Sequence, residues 1–257
     1  MKVLVIGDIV GRPGREIVRD LLRTIKQRLA VDLCIANGEN AAVGNGITCK
    51  IAHELYDYGV DIITMGNHVW NKKEIIKLFE QDEMIIRPAN YPPGTVGDGY
   101  KILRVKNKKA AVVNLAGRVY LDALDCPFQT IEKQLKIISK VTNIIIVDFH
   151  AEATSEKTAM GWYLDGKVSA VYGTHTHVQT ADERILPKGT GYITDIGMTG
   201  PYNSVLGVQK EIIINRFITH LPQRFEVADG PAQLNGIVLE IDESNGKTTS
   251  INRIIVK

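Results

Sequence analysis

The strongest constraint on the fold of this chain is an alternation of short apolar runs with segments of helical periodicity. In the first part of the chain the apolar runs cover residues 3–6, 32–36 and 60–63, and a helical pattern follows each of them. Runs that are apolar at nearly every position predict strands covered on both faces of a sheet. Strand–helix–strand connections place such strands in parallel, with right-handed crossovers. The alternation therefore predicts an α/β fold.

Three helices are predicted between and after these strands. The first covers residues 15–29, where Ile and Leu recur at helical spacing. The second begins after Thr48, a residue type that caps helix N-termini, and ends at Gly59. The third begins near Asn71, because Asn71 and Glu74 have the spacing of a capping pair. The expected order is thus β-α-β-α-β-α.

The regular alternation stops after a turn-rich stretch that ends at residue 94. Residues 100–105 and 110–115 predict a β-hairpin, and residues 235–241 and 250–256 predict two strands around a turn. The other predicted elements are helices over 128–140, 157–164 and 208–220, strands over 143–147 and 168–172, and a short strand plus loop over 191–200. No linker interrupts the chain, so one domain spanning residues 1–257 is predicted, with two sheets in its core and helices outside.

Composition narrows the class of protein. The 257 residues carry a formal net charge of +2, and 44% of them are hydrophobic. This balance is ordinary for a soluble globular protein and argues against a membrane protein or a stable nucleic-acid partner. The sequence starts with a strand pattern rather than a signal peptide, and its three cysteines form no CxxC pair. A cytoplasmic protein with reduced thiols is expected.

Side chains that can bind metal ions follow five of the predicted strands. Because ligands bind at the carboxyl ends of parallel strands, these side chains should converge at one edge. His175 and His177, at alternate positions of an extended segment, would place both rings on one face. Each histidine alone could be a packing or capping residue, but five strand ends together favour a site. The residues concerned are Asp8, Glu39, Asn40, Asn67, His68, His150, His175 and His177.

The types of these side chains indicate the kind of metal site. Carboxylate, imidazole and amide oxygen form a mixed ligand set that suits Mn, Fe or Zn better than Mg or Ca. Two such ions that share a bridging carboxylate can hold an attacking hydroxide and a phosphate oxygen for in-line displacement. The set therefore points to phosphoryl chemistry.

The order of these motifs resembles that of calcineurin-type metallophosphoesterases, whose usual pattern is D-x-H, G-D, G-N-H-[DE], a lone His and G-H-x-H. The corresponding segments here are Gly7-Asp8, Gly38-Glu39-Asn40, Gly66-Asn67-His68, His150 and Gly173-Thr174-His175-Thr176-His177.

The sequence also departs from that usual pattern. Val10 occupies the position of the first His, and Glu39 replaces an Asp. Val69, not an acidic residue, follows the third motif, and Thr174 replaces a His in the last one. These departures, together with the opening run Gly-Asp-Ile-Val-Gly-Arg-Pro-Gly-Arg, resemble a narrower group, the YmdB-like bacterial phosphodiesterases.

This resemblance implies a four-layer α/β/β/α sandwich with a dinuclear metal site. The expected ions are divalent or mixed-valence, with Fe or Mn preferred and Zn as the alternative. Asn40 would compensate for the missing histidine at Val10, and Glu39 would bridge the two ions. One ion would be held by Asp8, Glu39, Asn40 and His177, and the other by Glu39, Asn67, His150 and His175.

The activity implied by the resemblance is hydrolysis of 2′,3′-cyclic nucleotides by metal-activated hydroxide. His68, which binds neither ion, would act as the general acid. In the wider superfamily an acidic residue commonly orients this histidine, so another group must orient His68 here. A phosphomonoesterase, an RNA nuclease and a nucleotide-sensing regulatory protein with low turnover are the alternatives. The expected partner is a small phosphodiester. The sequence leaves open whether the protein forms a homo-oligomer.

Overall fold

Two β-sheets packed face to face occupy the centre of the computed structural model, which describes residues 1–81 and 83–257. The strands are β1 (Lys2–Ile6), β2 (Asp8–Ile9), β3 (Leu33–Asn37), β4 (Ile62–Thr64), β5 (Ile85–Ile86), β6 (Tyr100–Val105), β7 (Lys108–Ala116), β8 (Ile145–His150), β9 (Ala170–Thr174), β10 (Arg184–Ile185), β11 (Gly191–Ile193), β12 (Met198–Pro201), β13 (Ala232–Ile241) and β14 (Thr248–Val256). The helices are α1 (Gly11–Leu29), α2 (Cys49–Tyr58), α3 (Ile75–Glu80), α4 (Pro127–Ile138), α5 (Thr154–Leu164) and α6 (Lys210–Thr219).

Each sheet contains a parallel core. The first sheet has the order β2-β12-β13-β1-β3-β4-β5, with β14 paired along β13, and the second has the order β10-β11-β9-β8-β7-β6. Strands β1, β3, β4 and β5 run parallel, as do β7, β8, β9 and β11. Strand β13 pairs antiparallel with β1. The predicted parallel strands are confirmed, whereas the central position of β13 had not been predicted.

Side chains along β1 alternate between two hydrophobic layers. Leu4 belongs to a cluster that the first sheet forms with helices α1 to α3, whereas Val5 belongs to the cluster between the sheets. A third cluster joins the second sheet to α4 and α5, with Met160 among its buried members. This alternation is the period of two that a pleated strand imposes. The layers follow as helices, sheet, sheet and helices, so the predicted α/β/β/α sandwich is confirmed.

The termini of two helices differ from the predictions, and those of a third agree. Helix α1 begins at Gly11 rather than Arg15. Pro13 lies in its first turn, where a proline is tolerated because an N–H there has no partner within the helix. Helix α3 begins at Ile75, so the predicted start near Asn71 is wrong. Helix α2 is capped as predicted, since Thr48 accepts a hydrogen bond from a backbone N–H and Gly59 adopts a φ of 112°.

Two further details concern segments near the site. Part of the stretch predicted as a loop before residue 200 forms β12, which pairs with β2 and thereby buries Asp8. None of the described helices has both the length and the apolar character needed to cross a bilayer.

Candidate metal centre

The predicted site residues converge where the carboxyl ends of the two sheets meet. Asp8 lies in β2, and Glu39 and Asn67 follow β3 and β4 of the first sheet. His150 ends β8, and His175 follows β9, both in the second sheet. The site is therefore built from both sheets rather than from one edge alone.

One group of ligand atoms surrounds His150, which is completely buried. Its Nε2 atom lies 3.1 Å from Glu39 Oε1, 3.0 Å from Asn67 Oδ1 and 3.0 Å from His175 Nδ1. The ligand atoms of Glu39, His150 and His175 all lie within 4.8 Å of one another. This group matches the predicted ligands of one ion.

A second group contains Asp8, Asn40 and His177. His177 Nε2 lies 3.3 Å from Asn40 Oδ1 and 3.9 Å from Asp8 Oδ1. Val10, at the position of the usual histidine, is buried and directly precedes α1 as its N-cap residue. The amide of Asn40 thus lies beside the remaining histidine, as the prediction for this position requires. All seven predicted ligands fall into these two groups.

The donor atoms fit divalent metal ions. Asp8 Oδ1 is buried and has no hydrogen-bond partner among the described residues, which is costly unless a cation binds there. Two facing imidazole nitrogens and two carboxylates form a suitable set for Mn, Fe or Zn. Gly66 explains how these atoms can come so close: a Cβ at this position would lie 2.1 Å from Glu39 Oε2 and 2.3 Å from His150 Nε2.

Burial and the mutual contacts of these groups shift their pKa values. Burial raises the pKa of Asp8 to about 6. Burial would raise the pKa of Glu39 too, but the charges and hydrogen bonds of His150 and His68 together outweigh burial and lower the pKa to about 2. Conversely, burial opposes a charge on His150, but Glu39 raises its pKa to about 9. Burial and the neighbouring charge of His150 lower the pKa of His175 to about 3. Shifted pKa values are concentrated at functional sites.

Each of the three imidazoles has a partner that fixes its other ring nitrogen. Thr174 Oγ1 lies 2.9 Å from His150 Nδ1 and donates its single proton to Asp148, at 2.7 Å, so His150 Nδ1–H donates to Thr174. His177 Nδ1 donates to the backbone carbonyl of Leu206, at 3.0 Å. In both cases Nε2 is left facing the centre. Such outer contacts orient metal-binding histidines.

Glu152 plays the same part for His175. Its Oε2 atom lies 2.9 Å from His175 Nε2, which leaves Nδ1 facing His150. Glu152 was missed by the sequence predictions, although an acidic residue two positions after a candidate ligand was an available signal. Asp148 and Thr174, which act on His150, were also not predicted as site residues.

Replacing Glu152 with Ala should weaken metal binding by roughly 10- to 100-fold, because His175 would lose the partner that orients its ring. Competition between the metal-loaded protein and a chelator measures this affinity. Glu152→Gln is the matched control, since its amide oxygen can still accept from Nε2–H and should retain most of the affinity. Equal affinity in the Ala variant and the unchanged protein would show that this contact is only a surface pair.

The segment that carries His175 and His177 is not extended, contrary to the prediction. Both residues have positive φ angles, 95° and 65°. Asp195 holds the turn, because Thr176 donates to it from the backbone, at 3.1 Å, and from its hydroxyl, at 2.7 Å. Lys157 of α5 pairs with the same carboxylate at 2.6 Å, in full burial. A buried charge pair thus fixes the two histidines in place of regular strand geometry.

His68 lies beside the metal ligands, and Asn71 orients it. Asn71 Nδ2 lies 3.1 Å from His68 Nδ1, and the backbone N–H of His68 donates to Glu39 Oε2 at 3.2 Å. Asn71 is therefore not the helix cap that its spacing from Glu74 predicted. Glu74 instead accepts a hydrogen bond from the backbone N–H of Cys49. The crevice that contains His68, Glu39 and the other polar groups has a volume of about 380 Å³.

Comparison with known proteins shows the family to which this chain belongs. Residues 4–254 match the model of the YmdB-like protein family. A 2′,3′-cyclic-nucleotide 2′-phosphodiesterase of Bacillus subtilis (strain 168) is 52% identical over 256 residues, which is 100% of this chain and 97% of that protein. The crystal structure of a hypothetical protein from Thermus thermophilus superposes with a TM-score of 0.94 at 43% identity, covering 100% of this chain and 99% of that one. An NAD nucleotidase of Haemophilus influenzae shares the fold alone, with a TM-score of 0.61 at 14% identity over 99% of this chain and 55% of that one.

The chain thus has the fold of the Haemophilus influenzae nucleotidase, and its cluster of carboxylate and imidazole groups could hold a metal ion. Val10 and Glu39 are positions at which the sequence departs from the usual calcineurin-type motif pattern. The chain belongs to the YmdB-like family.

Proposed function

We propose that this protein is a phosphodiesterase that depends on two metal ions and hydrolyses 2′,3′-cyclic nucleotides. The observation that carries the proposal is the convergence of two groups of ligand atoms on one crevice that also contains His68. The name of the Bacillus subtilis relative supports the choice of substrate. A cyclic phosphodiester is small enough for a crevice of about 380 Å³.

The two groups of side chains would hold one ion each, and Glu39 would contribute its carboxylate to both. When bound, the ions would neutralise charge on the phosphate and make a water molecule more acidic. We infer Fe or Mn, with Zn as the alternative, from the mixture of imidazole and oxygen donors. Asp8, Glu39, Asn40 and His177 would hold one ion, and Glu39, Asn67, His150 and His175 the other.

His68 would protonate the 2′-oxygen as it leaves the phosphorus. Asn71 holds its Nδ1 atom, so Nε2 is the nitrogen available to the substrate. A side-chain amide can donate or accept after rotating by half a turn, so Asn71 can serve either protonation state of the ring. This property supports Asn71 as the partner of a group that gains and loses a proton.

The setting of the enzyme is part of the proposal. We infer one domain over residues 1–257 that works in the cytoplasm on a small phosphodiester, without a stable nucleic-acid partner. The near-neutral charge of +2 supports weak affinity for nucleic acid.

A substrate panel tests this function. Protein purified without oxygen, with its metal content measured, should hydrolyse 2′,3′-cyclic AMP with a turnover of about 1 s⁻¹ or more. Rates on 4-nitrophenyl phosphate and on an RNA oligonucleotide should be much lower. A higher rate on the monoester or on RNA would favour a phosphomonoesterase or a nuclease. Tight nucleotide binding with negligible turnover would favour a sensor, and failure to bind any metal would contradict the site.

A further inference from the structure

We propose that Phe225 and Leu206 form a subsite for the base of the nucleotide, at the apolar end of the catalytic crevice. This inference rests on the proposed function, because it assigns the part of the substrate that the metal ligands do not contact. Phe225 lies between α6 and β13, in a segment without a sequence motif.

The crevice has one polar and one apolar side. Its polar side contains Glu39, His68 and His177, whereas Leu206 and Phe225 supply its apolar lining. The same two side chains also line an adjoining cavity of about 360 Å³, whose other walls include Val208, Ile213 and Phe217. The apolar cavity therefore adjoins the crevice and shares these two side chains with it.

The apolar wall is fixed relative to the metal ligands. The backbone carbonyl of Leu206 accepts the hydrogen bond from His177 Nδ1, and Leu206 adopts a φ of 54° at this point. A non-glycine residue in this region of φ is uncommon and strained. The contact that orients a metal ligand thus also places the Leu206 side chain at the rim of the crevice.

Phe225 has the surroundings of a stacking platform. Phe225 is 47% exposed, although its side chain is large and apolar. The guanidinium of Arg216 lies over its ring, 4.8 Å from the ring centre. A nucleobase can stack on an aromatic ring whichever base it is, and a nearby arginine adds a cation–π contribution. A ligand with an anionic phosphate at one end and a flat base at the other fits this arrangement of charge.

The apolar face of α6 also admits a second copy of the chain as its occupant. Phe217 and Ile218 on this helix are 73% and 74% exposed. A copy seated against Leu206 and Phe225, however, would cover the mouth of the crevice and exclude the substrate. The base of the substrate is therefore the better occupant for these two side chains.

The experiment compares two substrates in three variants. The substrates are 2′,3′-cyclic AMP and the 2′,3′-cyclic phosphate of 1-O-methylribose, which lacks the base. Phe225→Ala should raise KM for cyclic AMP about tenfold with little change in kcat, because a lost stacking contact weakens binding. Its kinetics on the baseless compound should be unchanged. Phe225→Trp should restore the KM, and Phe217→Ala, which alters only the adjoining cavity, should leave both substrates unaffected.

Any different result contradicts either the base subsite or the proposed hydrolysis, and the measurements distinguish these two cases. An equal loss on both substrates, or no loss on either, would overturn the subsite while the hydrolysis stands. Loss of an oligomer in the Phe225→Ala and Phe217→Ala variants, seen by sedimentation, without base selectivity would assign this face to a second copy. If the unchanged protein hydrolyses neither compound, the proposed function fails. In that case, calorimetry of cyclic AMP binding tests the subsite separately. Equal affinity of the Phe225→Ala variant and the unchanged protein would overturn the subsite as well.

Discussion

Replacing Glu39 with Gln should reduce hydrolysis of 2′,3′-cyclic AMP by about 10³-fold or more, since loss of the proposed shared carboxylate would forfeit several kcal/mol of charge stabilisation by the metal ions. Glu39 contacts His150 Nε2 at 3.1 Å and accepts the backbone hydrogen bond of His68. It thereby joins the ligand cluster to the segment that carries His68. The metal content of the purified variant should fall together with the rate.

The fold should survive this substitution. Gln has nearly the volume of Glu, so the packing around the buried side chain is retained. The negative charge of Glu39 contributes to the raised pKa of Asp8, and its removal relieves that repulsion. Circular dichroism checks the fold, and Glu211→Gln on the exposed side of α6 is the matched control. Full activity in the Glu39→Gln variant would refute the dinuclear assignment.

Replacing His68 with Ala should lower kcat for 2′,3′-cyclic AMP by roughly 10²- to 10⁴-fold, the usual contribution of general acid catalysis. The metal content should not change, because His68 lies outside both groups of ligand atoms. This combination separates His68 from His150, whose loss should remove metal and activity together. Elemental analysis and steady-state kinetics on the same preparation provide the two measurements.

A change of leaving group tests the role of His68 as an acid. Bis(4-nitrophenyl) phosphate releases nitrophenolate, which needs no proton in order to leave. The His68→Ala variant should therefore hydrolyse this compound at nearly the rate of the unchanged protein. A similar loss on both substrates would mean that His68 binds the phosphate instead. Asn71→Ala should show the same dependence on leaving group with a smaller loss, because it removes the partner of His68 Nδ1 and keeps the ring.

The candidate ligands could be located from the sequence because they lie in, at the end of, or a few residues after short buried strands. The apolar runs before Glu39 and His150 locate the strand ends, and parallel pairing brings strand ends together within each of the two sheets. The residue types then limit the chemistry. Local pattern and the rule that ligands bind at the carboxyl ends of parallel strands suggest the residues, whereas the meeting of two sheets at the site is seen only in the structure.

The residues that orient the candidate ligands and His68 could not be predicted in this way. Asn71 has the same spacing from Glu74 whether it caps a helix or holds His68, and only the tertiary structure separates the two. The carbonyl of Leu206 is a backbone atom, so no side-chain pattern reveals it. The pair of Lys157 and Asp195 joins residues far apart in sequence, and its effect is on the turn at Thr176. Such contacts depend on the packed structure rather than on periodicity.

The position of β13 has a consequence for the order in which the parts of the molecule can fold. Residues 2–6 of β1 pair with residues 236–240 of β13, and Asp8 pairs with Met198 of β12. During synthesis the first strand leaves the ribosome long before either partner exists. One side of β1 and the carboxylate of Asp8 therefore stay open to solvent until nearly the whole chain has emerged. Pairings this distant close slowly. A nascent or truncated chain should thus lack a complete metal centre. It should have no hydrolytic activity until folding is complete.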